Sequence, residues 1–352
     1  MKILFEANHP AHVHFFKNAI WNLEDRGHEV LIEARDKDVT LALLEAYKLN
    51  YKVVGPHYKS LVKKAYGLFK TDLKLLKIAR DFKPDILVGR GSAYLAHLSM
   101  LINKPYIAFV DTEHAKLAAW LVFPFVDVIL TPACFKKKIN PKKHIKFDGY
   151  KELAYLHPNY FKPDPSVLDD LGLSKTNKFI VFRFVSWSAS HDVGHHGIDL
   201  KTKQKFIKEL EKYGRVFMTS EANLGKKFER YKIRVTPERI HDLLYYATMY
   251  IGEGSTMATE AGILGTPSIY VSSLVGTMGN FEELEKRYGL VYSFQDPNLA
   301  LEKALQFLED ANSKASWQKK RKNLLNEKID VTKFMTDFIE NYPNSFNEYK
   351  EG

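Results

Sequence analysis

The chain has little cysteine and no long apolar run, and each shortage narrows what it is. A single thiol, Cys134, excludes an intramolecular disulfide framework, so the expected compartment is a reducing one, the cytoplasm. The longest apolar stretch, 117–125, falls far short of the ~20 residues needed to span a bilayer. The opening MKILFEANHP turns polar too soon for the apolar region of a signal peptide. Internal repeats, low-complexity tracts and RNP or zinc-finger signatures are also missing, so no nucleic-acid partner is expected.

What is present is globular. Over 352 positions, 45% hydrophobic and 27% charged residues suit two α/β domains better than one core. The formal charge is +10, with lysines grouped at Lys59, Lys63, Lys64, Lys70, Lys74 and Lys77 and again at Lys136, Lys137, Lys138, Lys142 and Lys143. The plain reading of these groups is solvated surface. The functional one is attraction to anionic partners, including contact of a basic first-domain face with a membrane surface.

Continuous apolar runs predict strands at 2–7, 28–34, 51–54, 86–88, 106–110 and 126–130, with helices between them. One helix carries the stripe Val13, Phe16, Ile20 and Leu23 and ends at Gly27. The pattern weakens over 147–178, then restarts with strands at 179–184, 215–219, 249–252 and 268–272. Such alternation implies parallel sheets covered on both faces. The expected fold is α/β, two doubly wound Rossmann-like domains facing a central cleft. Expected boundaries are 1–150, a first Rossmann-like domain; 151–330, a second; and 331–352, a helix and tail packing back on the first.

The richest motif follows the strand at 249–252: Gly252-Glu-Gly254-Ser255-Thr256, then Glu260, Gly265 and Pro267. Glycines let a backbone turn sharply and approach a ligand. Ser255 is a cap for a helix starting at Thr256, whose free N–H groups and dipole favour a phosphate. Helical side chains tilt toward the N-terminus, so Glu260 leans back toward that ligand, as suits the two hydroxyls of a ribose. A dinucleotide fingerprint fails because Met257 stands at the third glycine position. A capped βαβ turn with no ligand is the bland alternative.

This string resembles the donor segment of GT-B enzymes, the MurG-type N-acetylglucosaminyltransferases and the non-hydrolysing UDP-N-acetylglucosamine 2-epimerases. The resemblance implies a diphosphate at Gly254, Ser255 and Thr256 and a ribose at Glu260. From KILFEANHPAHVHFF through FVDTEHA to GEGSTMATEAGILGTP, the chain is similar along its length to the DUF354 family. The architecture so implied is GT-B, and such transferases work without a bound metal or a cofactor.

Other candidates follow strands. Pro10 suits a first helical turn, leaving His9 and His12 near its start as bases for an acceptor hydroxyl; His14 reads equally as a packed residue. Arg90, in Gly89-Arg-Gly-Ser92, is a bidentate anion ligand or a salt-bridge partner. Asp111, Glu113 and His114 are acid–base candidates, with Asp111 alternatively a helix cap. The resemblance to epimerases singles out Glu113. Arg183, Ser186 and His191 follow the first strand of the second half, where the resembled enzymes face the donor diphosphate. The histidine sets 9, 12, 14 and 191, 195, 196 lack a zinc pattern.

The expected activity is metal-independent transfer of a sugar from a nucleotide-diphosphate sugar to a glycan or lipid-linked acceptor. The alternatives are 2-epimerisation of a sugar nucleotide, or binding of one without chemistry. Epimerases have His-Gly-Asp-Thr where this chain has Gly89-Arg-Gly-Ser92, which removes one carboxylate.

Overall fold

The computed structural model describes residues 1–56, 61–113, 120, 122–184, 198–220 and 226–351. The chain divides into two compact units, Met1–Tyr160 with Ile329–Gly352, and Phe161–Lys328.

The first unit is built on a seven-stranded sheet in the order β3-β2-β1-β4-β5-β6-β7. Its strands are β1 Lys2–Ala7, β2 Glu29–Asp36, β3 Tyr51–Pro56, β4 Ile86–Gly89, β5 Tyr106–Phe109, β6 Val128–Pro132 and β7 His144–Phe147. Every pairing is parallel. The central strands are apolar because helices shield both faces. Two aspartates set strand starts: Asp85 Oδ2 accepts the Lys2 amide and Asp127 Oδ2 the Tyr106 amide, each at 2.8 Å. Beside β4 lies a cluster that includes Leu4, Leu87, Ala108, Leu95 and Phe82.

The second unit has a five-stranded parallel sheet in the order β12-β11-β10-β8-β9. Its strands are β8 Phe179–Phe184, β9 Arg215–Ser220, β10 Met249–Gly252, β11 Ser268–Val271 and β12 Val291–Phe294. Phe182, Phe206, Ile251 and Ile269 lie in its core with no exposed surface.

The sequence pattern passes over β7 and β12. Both are edge strands, and their mixed burial leaves no continuous apolar run to read. The helix Leu61–Phe82 also starts well before the apolar periodicity is legible.

The helix Val331–Glu340 packs on the helix Pro10–Asp25 within the first unit. The short helix Leu153–Leu156 touches both, and for that reason residues 151–160 belong with the first sheet. The carbonyl of Ala154 joins the three: Asn18 Nδ2 donates to it at 2.8 Å and Thr332 Oγ1 at 2.5 Å. Both donors are buried. Removing one still leaves the carbonyl paired, whereas removing both strands a buried acceptor. Asn18→Ala and Thr332→Val are each expected to cost about 1 kcal/mol, and the double variant about 1–3 kcal/mol beyond their sum. Urea denaturation reads this; simple additivity would show that the carbonyl finds another donor.

Candidate functional site

In open parallel sheets, ligands sit at the carboxyl ends of the strands where the strand order reverses. In the second unit that point lies between β8 and β10. Gly252 ends β10 with φ 155°, and a Cβ there would collide with the carbonyl of Arg183. At Gly254 a Cβ would lie 2.5 Å from Arg183 Cδ and 2.6 Å from its Nε. Only glycines let the turn pass this close to the arginine. Arg183 Nη1 donates to Thr219 Oγ1 at 3.1 Å, which fixes the direction of the side chain.

The helix Ser255–Ile263 starts directly at this turn. Gly254 is its cap residue and Ser255 its first helical residue, so Ser255 is not the cap expected from its residue type. Among the described residues no side chain closes the first turn, whose N–H groups have no intrahelical acceptor. Residues 257–263 are all buried, while Ser255 and Thr256 are half-exposed. The arrangement suits an anion at the Ser255 and Thr256 amides, beside the Arg183 guanidinium.

Glu260 lies one turn on and is 4% exposed. Its Oε1 is 3.1 Å from Nε2 of His241, on the helix Ile240–Tyr246. The carboxylate is therefore oriented by a buried imidazole that sequence reading missed. A lone histidine on an apolar helix face gives no signal of its partner.

In the first unit the strand order reverses between β1 and β4. Here Pro10 opens the helix Pro10–Asp25, and His9 caps it through Nδ1, which accepts the Ala11 amide at 3.2 Å. His12 stands in the first turn, its ring centroid 5.9 Å from that of His9. Its Nδ1 is buried and has no hydrogen-bond partner among the described residues. Burial, then the Arg90 guanidinium, with smaller effects from His9 and Lys151, outweigh Asp111 and hold the imidazole well below its ordinary pKa, so it is neutral near pH 7. His14 is buried against Tyr47 and Tyr155, its Nδ1 3.2 Å from the Tyr47 hydroxyl, and is a packing residue.

The loop after β4 does not offer an open anion nest. Glu6 Oε2 accepts the Arg90 amide at 3.1 Å, and the Tyr106 hydroxyl accepts the Gly91 and Ser92 amides at 3.0 Å each. Ser92 caps the helix Ala93–Ile102, its Oγ accepting the Leu95 amide at 3.2 Å. The Arg90 guanidinium lies 4.8 Å from the Phe15 ring centroid and pairs with Asp111 Oδ1. Lys151 Nζ reaches the other oxygen of Asp111 at 3.0 Å. Burial pushes the Asp111 carboxyl up, but Arg90 and Lys151 together overcome it and hold it well below the usual carboxylate range. A carboxylate held in this way is a poor base and a good anchor. Lys151, an unsuspected member of the group, keeps its charge: burial works against it, while Asp111 and Glu152 raise its pKa.

Glu113 is half-buried, with Oε1 accepting the Lys136 amide at 3.3 Å. His114, Ser186 and His191, together with Trp187, His195 and His196, lie outside the described residues. Among the described residues no helix is long and apolar enough to cross a membrane.

The family model "Protein of unknown function (DUF354)" matches residues 1–344. An uncharacterized protein of Methanocaldococcus jannaschii is 28% identical over 288 residues, 78% of this chain and 84% of that protein. Among solved structures, a Listeria monocytogenes protein described as a UDP-N-acetylglucosamine 2-epimerase matches with TM-score 0.68 at 11% identity, covering 99% of this chain and 97% of that one. The glycosyltransferase VinC, solved with dTDP, matches with TM-score 0.61 at 13% identity, covering 97% and 99%. The fold is thus the α/β GT-B architecture, with two parallel sheets clothed in helices.

The anchoring role of Asp111 has a direct consequence. Asp111→Asn leaves two half-buried cations without their carboxylate and is expected to destabilise the protein by about 1–3 kcal/mol, between the cost of breaking an exposed pair and a buried one. Urea denaturation measures it, and a loss under 1 kcal/mol would remove Asp111 as the anchor.

Proposed function

The chain belongs to the DUF354 family, and we propose that it is a glycosyltransferase whose second unit holds a nucleotide-diphosphate sugar. One observation carries the donor reading: the uncapped start of the helix Ser255–Ile263, lying against Arg183 at the reversal of strand order. In this reading the diphosphate takes the Ser255 and Thr256 amides. Arg183 offsets the charge that builds on the leaving group. Glu260, aimed by His241, receives the ribose hydroxyls. The dTDP bound to VinC and the UDP-sugar named for the Listeria protein make pyrimidine diphosphates the first probes.

In the first unit, His12 is the base for the acceptor. The acceptor oxygen attacks the anomeric carbon, the bond from that carbon to the diphosphate oxygen breaks, and the hydroxyl proton passes to the imidazole. The nucleoside diphosphate leaves with the bonding electrons. Transfer needs one base, whereas 2-epimerisation needs several acid–base groups around the ring. The ion pairs that hold Asp111 ionised take it out of proton transfer and favour the simpler chemistry. Epimerisation remains the second reading because Glu113 occupies the corresponding position in the resembled epimerases. The exposed Lys136, Lys138 and Lys142 on this unit fit an anionic glycan or lipid-linked acceptor and a membrane surface that carries it.

Calorimetry with UDP and dTDP tests the donor site. Glu260→Gln is expected to weaken binding about tenfold, ~1.4 kcal/mol; unchanged affinity removes the ribose assignment. Conversion of UDP-N-acetylglucosamine to its epimer without an acceptor would overturn transfer in favour of the second reading. With an acceptor in hand, His12→Gln is expected to lower kcat by about 100-fold or more. Because the folded imidazole has a depressed pKa, the acidic limb of kcat/KM is expected below pH 6.5. A limb at or above that value would point to a different base.

A further inference from the structure

Glu6 and Glu33 are register partners on the parallel strands β1 and β2, and each is 1% exposed. A single amide serves both: Asn8 Nδ2 donates to Glu6 Oε1 at 2.6 Å and to Glu33 Oε1 at 3.1 Å. Two carboxyl groups drawn to one donor and shut off from water resist ionising together, and the favoured state keeps one proton between them. Among the described residues no cation forms an ion pair with either carboxyl. Arg35, on β2, lowers the pKa of Glu33 through its charge, with its guanidinium 3.9 Å from the Tyr94 ring centroid. Tyr106, on β5, faces Glu6 as a neutral phenol, its proton retained by burial and by that carboxylate. Arg90 gives Glu6 only its backbone amide, the guanidinium being turned to Asp111.

We propose that Glu6 and Glu33 share a single proton and act together as a positioning device for both loops at the reversal of strand order in the first unit. Through Asn8 the pair holds the turn that leads into His9 and His12. Through the Arg90 amide it holds residues 89–92, and with them the guanidinium beside Asp111. Neither residue touches substrate in this scheme. The sequence gives no hint of the pair, because a glutamate inside each of two apolar strands reads as an interruption until the register is known.

Burial, then the nearness of Glu6, raises Glu33 to about 8, while Arg35 and Asn8 oppose the shift. The folded state therefore binds a proton that the unfolded chain releases near its ordinary value of 4.5. The stability this contributes is complete below about 4.5, falls as pH rises, and is gone above about 8.

The inference stands apart from the donor reading, and its test reads folding and loop position, with no transfer assay. Wild type, Glu33→Gln and Glu6→Gln are followed by thermal unfolding across this pH range, with the histidine ring resonances recorded in parallel by NMR. In wild type, the His9 and His12 resonances are expected to show an inflection near pH 8, and Tm is expected to fall toward it. In Glu33→Gln both effects are expected to vanish, with Tm exceeding that of wild type at alkaline pH. If Glu33→Gln does not fold, Glu6→Gln decides, since it also leaves one carboxyl and is expected to lose the inflection near 8. An inflection that persists in the folded glutamine variants, or its absence from wild type, would overturn the shared proton. A pH-dependent Tm with unmoved histidine resonances would overturn the positioning role.

Discussion

The reversal of strand order within each sheet is the constraint on which the rest of the structure depends. Parallel strands need right-handed crossovers, and winding outward in both directions from one strand sends consecutive helices to opposite faces. At the reversal no helix covers the strand ends, so loops from two neighbouring strands meet there. In the first unit these loops follow β1 and β4, and in the second they follow β8 and β10. Each functional candidate from Asn8 to His12, from Gly89 to Ser92, and from Arg183 with Gly254 to Thr256 lies at the carboxyl end of one of those four strands or just after it.

Each unit uses its own reversal of strand order differently. In the second, backbone is left unclaimed: the helix Ser255–Ile263 has no side-chain cap among the described residues, and Arg183 stands over its first turn. Such a terminus costs stability unless something negative occupies it, which is why it reads as a ligand site. In the first, the protein's own groups take the amides. Tyr106 claims those of Gly91 and Ser92, and Glu6 claims that of Arg90. An oxyanion there would have to displace a buried phenol and a buried carboxylate. On the proposed reading the first unit holds a neutral base in a fixed place, and the second a charged leaving group.

How much of this is legible in the sequence depends on how local each feature is. The turn from Gly252 to Thr256, the helix start at Pro10 and the restart after the weak segment all lie within a few residues, so pattern and residue type suffice. Even there the pattern goes one residue astray, since Ser255 begins the helix and Gly254 caps it. The partnerships that set the chemistry are long-range. His241 with Glu260, Lys151 with Asp111, and Glu6 with Glu33 join residues on different elements. Nothing in either partner's local sequence announces the other. Two of the four edge strands, β7 and β12, escape for a related reason: with a neighbour on one side only and mixed burial they lack the apolar run that marks a central strand, whereas β3 and β9 at the opposite edges are still read.

The buried carboxyl pair and the half-buried ion network of the first unit meet at one residue. Arg90 gives its amide to Glu6 and its guanidinium to Asp111, so the carboxyl pair on β1 and β2 and the ion network that includes Lys151 share a short stretch of backbone. A change of protonation in the pair alters what Glu6 offers the amide. It thereby bears on the cation that, after burial itself, does most to keep His12 neutral. Buried charges are costly to keep, and replacing them with apolar residues is often neutral or stabilising. Their concentration here, at the reversal of strand order and around an imidazole whose Nδ1 has no partner among the described residues, argues that they serve the position and basicity of that imidazole more than the stability of the fold.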